Sequence, residues 1–242
     1  MNLVIDIGNT QIKTAVFKGN VLLEKFSFFK KHLFINLSKI IEKHPITHAI
    51  LSSVDKIEET ELLEIKKLFP ILILNHTTKI SFINKYTTPT TLGVDRIALI
   101  ASAANQYPNK NVLIIDAGTC ITYDFLNAQK EYFGGTISPG IEMRYNALHF
   151  YTANLPSLNL PKKIPLMGNS TKNAMHLGII NGVIHEIEGI INQFKVKNKK
   201  LTVILTGGDT IFLARNIKST IFANPNFLLE GLNSILIYNL KE

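Results

Sequence analysis

Residues 1–13, MNLVIDIGNTQIK, carry the reading from which the fold follows. Leu3, Val4 and Ile5 form the apolar run of a strand buried on both faces, yet the strand ends in Asp6 and then turns through Gly8, Asn9 and Thr10 towards Lys13. An acid at the C-terminal end of a strand can hold a hydrated divalent cation. A glycine lets backbone approach a phosphate, successive N–H groups donate to it, and a lysine adds a point charge. The same letters also spell a plain hairpin turn, for which Gly-Asn is favourable chemistry.

The second half of the chain repeats the phrase. Residues 112–120 read VLIIDAGTC, so that Asp116 follows Asp6 at a distance of 110 residues, again with an apolar strand before the acid, a glycine two places after it and a threonine just beyond. The repeat marks an internal duplication of a strand–turn–strand unit. It predicts two α/β halves, at about residues 1–110 and 111–242, with a ligand cleft between them. A third apolar strand ends in Thr206, Gly207, Gly208 and Asp209. Adjacent glycines there let a flat group such as adenine lie against backbone, and they also suit a flexible strand-to-helix turn. The GxxxxGK[ST] pattern is absent, which excludes a P-loop reading.

The chain has 242 residues, 46% hydrophobic and 18% charged, an ordinary globular composition able to bury a large core. Its one cysteine, Cys120, excludes an intrachain disulfide and a multi-cysteine metal site, and is expected to be a small buried residue. No apolar run reaches the ~18 residues of a membrane span, and no signal-peptide pattern opens the chain, so a cytoplasmic protein without a membrane partner is expected. The net charge of +8 fits an acidic small-molecule ligand. The lysines are scattered and the arginines are only Arg96, Arg144 and Arg215, a composition that argues against a dedicated nucleic-acid surface.

Hydrophobic periodicity places strands at residues 3–6, 12–17, 21–28, 49–53, 71–74, 112–116, 121–126, 132–138 and 203–205. It places helices at 33–44, 58–68, 95–106, 143–146, 171–194, 211–216 and 228–240. The polar segment before residue 95 reads as a loop. Leu92-Gly93-Val94-Asp95-Arg96 then opens a helix. An arginine beside an acid can clamp a substrate carboxylate while the acid takes a hydroxyl proton, and a helix N-terminus favours the carboxylate anion. An ordinary helix start with a surface salt bridge is the alternative. His149 and His176 have no partner at metal-ligand spacing and are read as structural.

Two phosphate loops and a Gly-Gly turn resemble the acetate and sugar kinase, actin and heat-shock ATPase superfamily. This implies two duplicated actin-like, ribonuclease H-like α/β halves with a nucleotide cleft. DIGNTQIK, LGVDR, DAGT, GGTISPG, TANLP and GNST, in this order, resemble the type III pantothenate kinases over nearly the whole chain. The resemblance implies ATP-dependent phosphorylation of pantothenate to 4'-phosphopantothenate, the first step of coenzyme A biosynthesis, with Mg2+ accompanying ATP. It assigns ATP binding to Asp6, Ile7, Gly8, Asn9, Thr10, Gln11, Ile12, Lys13 and Thr119, and pantothenate binding to Tyr86, Gly93, Val94, Asp95, Arg96 and Thr171. Asp95 is then the general base, Arg96 faces the pantothenate carboxylate, and Asp116 is associated with a monovalent cation, K+ or NH4+. Thr171 reaches the pantothenate site of the neighbouring subunit, which implies a homodimer. Another kinase or phosphatase of the superfamily, and a nucleotide-binding regulator without turnover, remain as alternatives.

Overall fold

The computed structural model describes residues 1–53 and 58–240. In chain order the elements are β1 (Asn2–Ile7), β2 (Ile12–Lys18), β3 (Val21–Phe28), α1 (Leu33–Lys43), β4 (His48–Ser53), α2 (Glu59–Leu68), β5 (Ile71–Ile73), β6 (Ile83–Asn84) and α3 (Val94–Gln106). They continue with β7 (Asn111–Ala117), β8 (Cys120–Leu126), β9 (Glu131–Pro139), α4 (Ile141–Phe150), α5 (Thr171–Lys197), β10 (Leu201–Thr206), α6 (Thr210–Ala214), β11 (Phe222–Ala223) and α7 (Phe227–Asn239). The chain forms two compact units. The first comprises Met1–Asn109, Leu126–Phe133 and Asn226–Glu242; the second comprises Lys110–Phe125 and Gly134–Pro225.

In the first unit the sheet runs β3-β2-β1-β4-β5 among the described residues. β1 is antiparallel to β2 and parallel to β4, and it is apolar on both faces because helices cover both. On one face Leu3, Ile5 and Ile7 join Leu33, Leu37 and Ile40 of α1 and Ile65 of α2 in a single core. The α1 residues recur with helical spacing, and the helix stops before Pro45. α2 carries Glu59 and Glu61 in its first turn and Lys66 and Lys67 in its last, the arrangement that its macrodipole favours.

Two helices, α3 and α7, pack on each other and against β4. α3 is buried along nearly its whole length, from Arg96 to Ala104, and its alanines allow the close approach. α7 is pinned by a buried polar residue. Asn233 donates to the Gly19 carbonyl at 2.9 Å and accepts from the Asn2 amide at 2.9 Å. A buried amide is tolerated only with such partners. The short strand β6, which the sequence reads as loop, pairs in parallel with the start of β9, at Ile83↔Glu131 and Asn84↔Tyr132.

In the second unit the strand order β11-β10-β7-β8-β9 reproduces that of the first, element for element: β7 takes the place of β1, and β10 that of β4. β10 is parallel to both β7 and β11. The core forms from β7, β8 and β10 against one stripe of α5, with Ile179, Val183, Ile187 and Ile191 at intervals of four residues. Ser170 caps α5 by accepting from Asn173 N–H at 3.2 Å. α4 extends well beyond residues 143–146, and β11 is too short to leave a periodic signal. No helix among the described residues is long and apolar enough to cross a membrane.

Asn233→Ala leaves the Asn2 amide and the Gly19 carbonyl without their buried partner. It is expected to destabilise the protein by about 1–3 kcal/mol, read as a lower urea midpoint at an unchanged m-value.

Candidate active site

At the C-terminal end of β1, Asp6 is only 7% exposed. Its register neighbours are Lys13 on β2 and Ser52 on β4, so the three side chains line one face of the sheet in a row. Lys13 is exposed and Ser52 is buried. Among the described residues the Ser52 hydroxyl has no hydrogen-bond partner, an unusual state for a buried oxygen and one that a hydrated cation or phosphate would relieve. Ile7 and Ile12 are buried and pair across the two strands that flank the loop, while Asn9, Thr10 and Gln11 are exposed. The Gly8 N–H donates back to the Gln11 carbonyl at 3.2 Å, which turns the chain tightly. The sequence signals Ser52 only through the pair of small polar residues that closes an apolar strand.

A second group in the same unit forms around Arg96. Gly93 precedes α3, Val94 and Asp95 open it, and both side chains are half-buried. An Asp95 carboxylate oxygen accepts the Arg96 N–H at 2.8 Å. Arg96 itself is buried. Its Nη2 donates to the Tyr132 hydroxyl at 2.8 Å, and its guanidinium carbon lies 5.7 Å from the centre of the Tyr86 ring. Tyr86 and Tyr132 stack with centroids 6.0 Å apart. Tyr86, Asp95 and Arg96 are thus brought together, and Tyr132 is the member that the sequence did not mark beyond its place at the head of a glycine-rich stretch.

In the second unit, residues 116–120 repeat the arrangement of the first loop. Asp116 has Thr206 of β10 as its register neighbour, a buried hydroxyl residue in the place that Ser52 takes beside Asp6. The backbone of this loop is held from two sides. Gly207, at φ +97°, sits so close that a Cβ there would meet the Ala117 carbonyl at 2.2 Å and an Asp116 carboxylate oxygen at 2.4 Å. Gly140 likewise leaves no room for a Cβ, with the Gly118 and Thr119 carbonyls at 2.2 and 2.4 Å. The Gly140 N–H donates to the Thr119 carbonyl at 3.1 Å, and the Asp209 N–H to the Ala117 carbonyl at 3.0 Å. Thr119 is exposed, and Cys120 is half-buried rather than buried. Burial, then the nearby Glu142, push the Asp209 carboxyl above the usual carboxylate range. Burial is the larger cause, as expected for a carboxyl taken out of water. Among the described residues no cluster of three or more His, Cys, Asp or Glu forms a dedicated metal site, so any cation here would rest on oxygens of the loop and its hydration shell.

Behind this loop, Glu186 of α5 joins two other elements. It accepts from the Tyr123 hydroxyl on β8 at 2.7 Å and from Arg144 Nη2 on α4. Burial alone would raise the Glu186 carboxyl, but hydrogen bonds from Arg144, Tyr123 and Ser138 outweigh it and hold the group below its ordinary range. Nearby, the Tyr145 hydroxyl and His176 Nδ1 lie 2.7 Å apart in the interior. Burial pushes Tyr145 up to about 12. Burial, then the Lys172 charge, lower His176 below the ordinary histidine range. His149 Nδ1 lies 2.7 Å from the Leu155 carbonyl. Thr171 is the exposed first residue of α5.

These units and loops define an actin-like α/β fold of the kind found in sugar kinases. A glucokinase from an Antarctic psychrotroph aligns with a TM-score of 0.53 at 12% identity, covering 98% of each chain. A Baf family protein from Campylobacter jejuni aligns with a TM-score of 0.62 at 21% identity, covering 99% of this chain and 100% of that one. Sequence narrows the class. Residues 2–193 match the model of the type III pantothenate kinases, and a type III pantothenate kinase from Christiangramia forsetii is 53% identical over 99% of both chains. The chain belongs to the type III pantothenate kinase family.

His176 gains a proton more readily in the unfolded chain than in the folded one. Folded stability is therefore complete above the ordinary histidine pKa of about 6.5 and declines as pH falls below it. The melting temperature of the wild type is expected to drop more between about pH 7.5 and 5.5 than that of His176→Gln. Equal drops in thermal unfolding at the two pH values would contradict this.

Proposed function

We propose that the protein transfers the γ-phosphoryl group of ATP to the primary hydroxyl of pantothenate, giving 4'-phosphopantothenate at the first step of coenzyme A biosynthesis. The observation that carries the reading is the matched pair of strand-end acids in a chain of this family. Asp6 stands beside the Ser52 hydroxyl, and Asp116 beside Thr206.

Phosphoryl transfer depends on positioning and charge neutralisation more than on covalent help from the protein. In this reading Asp6, Ile7, Gly8, Asn9, Thr10, Gln11, Ile12 and Lys13 hold the ATP phosphates, with the backbone N–H groups and Lys13 as donors, and Thr119 holds them from the second loop. The orphaned Ser52 hydroxyl beside Asp6 suits the water shell of Mg2+. Asp116, at the end of a central strand beside Thr206, is the group that would attend K+ or NH4+. When bound, these cations neutralise phosphate charge. Gly93 and Val94 line the acceptor pocket with Tyr86, and Asp95 orients the pantothenate hydroxyl and takes its proton. Arg96, packed against Tyr86 and Tyr132, presents positive charge to the pantothenate carboxylate.

Thr171 completes the acceptor site of a neighbouring subunit in a homodimer. A groove of about 550 Å³, lined by Leu148, Tyr151, Met175 and Ile179, supports this, as do the exposed rings of Phe150 and Tyr151 at the end of α4. The single cysteine accords with a cytoplasmic enzyme.

Asp95→Asn is expected to lower turnover by roughly a hundred- to ten-thousandfold while leaving thermal unfolding unchanged, as measured by phosphopantothenate formation. An unimpaired Asp95→Asn enzyme would remove the assignment of the base. Omitting K+ and NH4+ is expected to reduce wild-type turnover, and Asp116→Asn to abolish the response to either cation. A response retained by Asp116→Asn would place the monovalent ion elsewhere.

A further inference from the structure

The loop at residues 116–120 is held on one side by the turn at residues 138–140, and that turn is itself held by a side chain. Arg144 lies one helical turn into α4 and reaches back. Its Nε donates to the Pro139 carbonyl at 2.9 Å and its Nη2 to the Ser138 hydroxyl at 2.9 Å, while Nη2 also pairs with Glu186. Glu186 in turn fixes the Tyr123 hydroxyl, on the strand that leaves the loop. Because Gly140 touches the Gly118 and Thr119 carbonyls more closely than a Cβ would allow, no slack separates the turn from the loop.

The ion pair is partly exposed, with side-chain exposures of 23% for Arg144 and 27% for Glu186, so its direct contribution to stability is small. Its geometry is the informative part. The planar guanidinium makes three directed bonds at once, which a lysine cannot copy. We propose that Arg144, oriented by Glu186, is a positioning residue for the nucleotide: it sets the Gly118–Thr119 backbone at the phosphates through Gly140. The proposal rests on the reading that this loop contacts ATP.

The test compares the full-length wild type with Arg144→Lys, Arg144→Met and Glu186→Gln, using Mg-ATP titration calorimetry, steady-state kinetics and thermal unfolding. Arg144→Lys keeps a cation beside Glu186 but loses the fork. It is expected to raise both Kd and KM for Mg-ATP about tenfold, with a smaller change in the KM for pantothenate, because Arg144 also lines the groove assigned to the partner subunit, and with the melting temperature nearly unchanged. Arg144→Met is expected to do the same more strongly, and Glu186→Gln more weakly. Wild-type affinity for Mg-ATP in both Arg144 variants would overturn the proposal. So would a fall in melting temperature with both KM values rising together, which would make the contact purely structural. A wild type that binds Mg-ATP without phosphorylating pantothenate would refute the proposed reaction, while the binding comparison would still decide the role of Arg144. A wild type that binds no Mg-ATP would refute both.

Discussion

Two backbone approaches closer than any Cβ permits, at Gly140 and Gly207, govern the chemistry of the second loop. Residues 116–120 are gripped between a turn that begins α4 and a turn that begins α6, with main-chain hydrogen bonds from both. Such a loop has little freedom to rearrange, which suits a reaction whose catalysis is mostly placement. The cost is that two positions admit only glycine, and that the turn at residues 138–140 needs its own support. Arg144 and Glu186 supply it from helices α4 and α5.

The first loop is built on a different principle. Its acid is fixed by strand register, with Lys13 and Ser52 on either side of Asp6. The second unit keeps the acid and the neighbouring hydroxyl, as Asp116 and Thr206, within the same strand order. The duplication thus preserves the position of a carboxylate at the end of a central strand, while the means of holding the loop diverges. The buried Asp209 carboxyl and the orphaned Ser52 hydroxyl are tolerable in a protein that binds charged groups and costly in one that does not.

Much of this was legible in the sequence because strand ends and turns are local. The runs before Asp6 and Asp116 are too apolar to end in an acid by accident, and their repetition indicates a duplicated strand–turn–strand unit. Helices α1, α2, α3, α5 and α7 announced themselves through periodicity and their stops. What was not legible depends on contacts distant in the chain. Arg96 meets Tyr132, Arg144 meets Glu186, and Asn2 meets Asn233 across gaps that no spacing rule spans. Strands β6 and β11, at Ile83–Asn84 and Phe222–Ala223, are shorter than any period. Cys120 looked like a buried residue by type, but it lies at the mouth of a turn and is half-buried.

This chain phosphorylates the primary hydroxyl of pantothenate. The most direct measurement is 31P nuclear magnetic resonance and mass spectrometry of the product formed by the wild type from Mg-ATP and pantothenate in the presence of K+, with glucose and acetate as parallel acceptors. One phosphomonoester, 4'-phosphopantothenate, is expected, formed in step with ADP, with no phosphorylated glucose or acetate. ADP release without phosphopantothenate, or transfer to glucose or acetate instead, would contradict it.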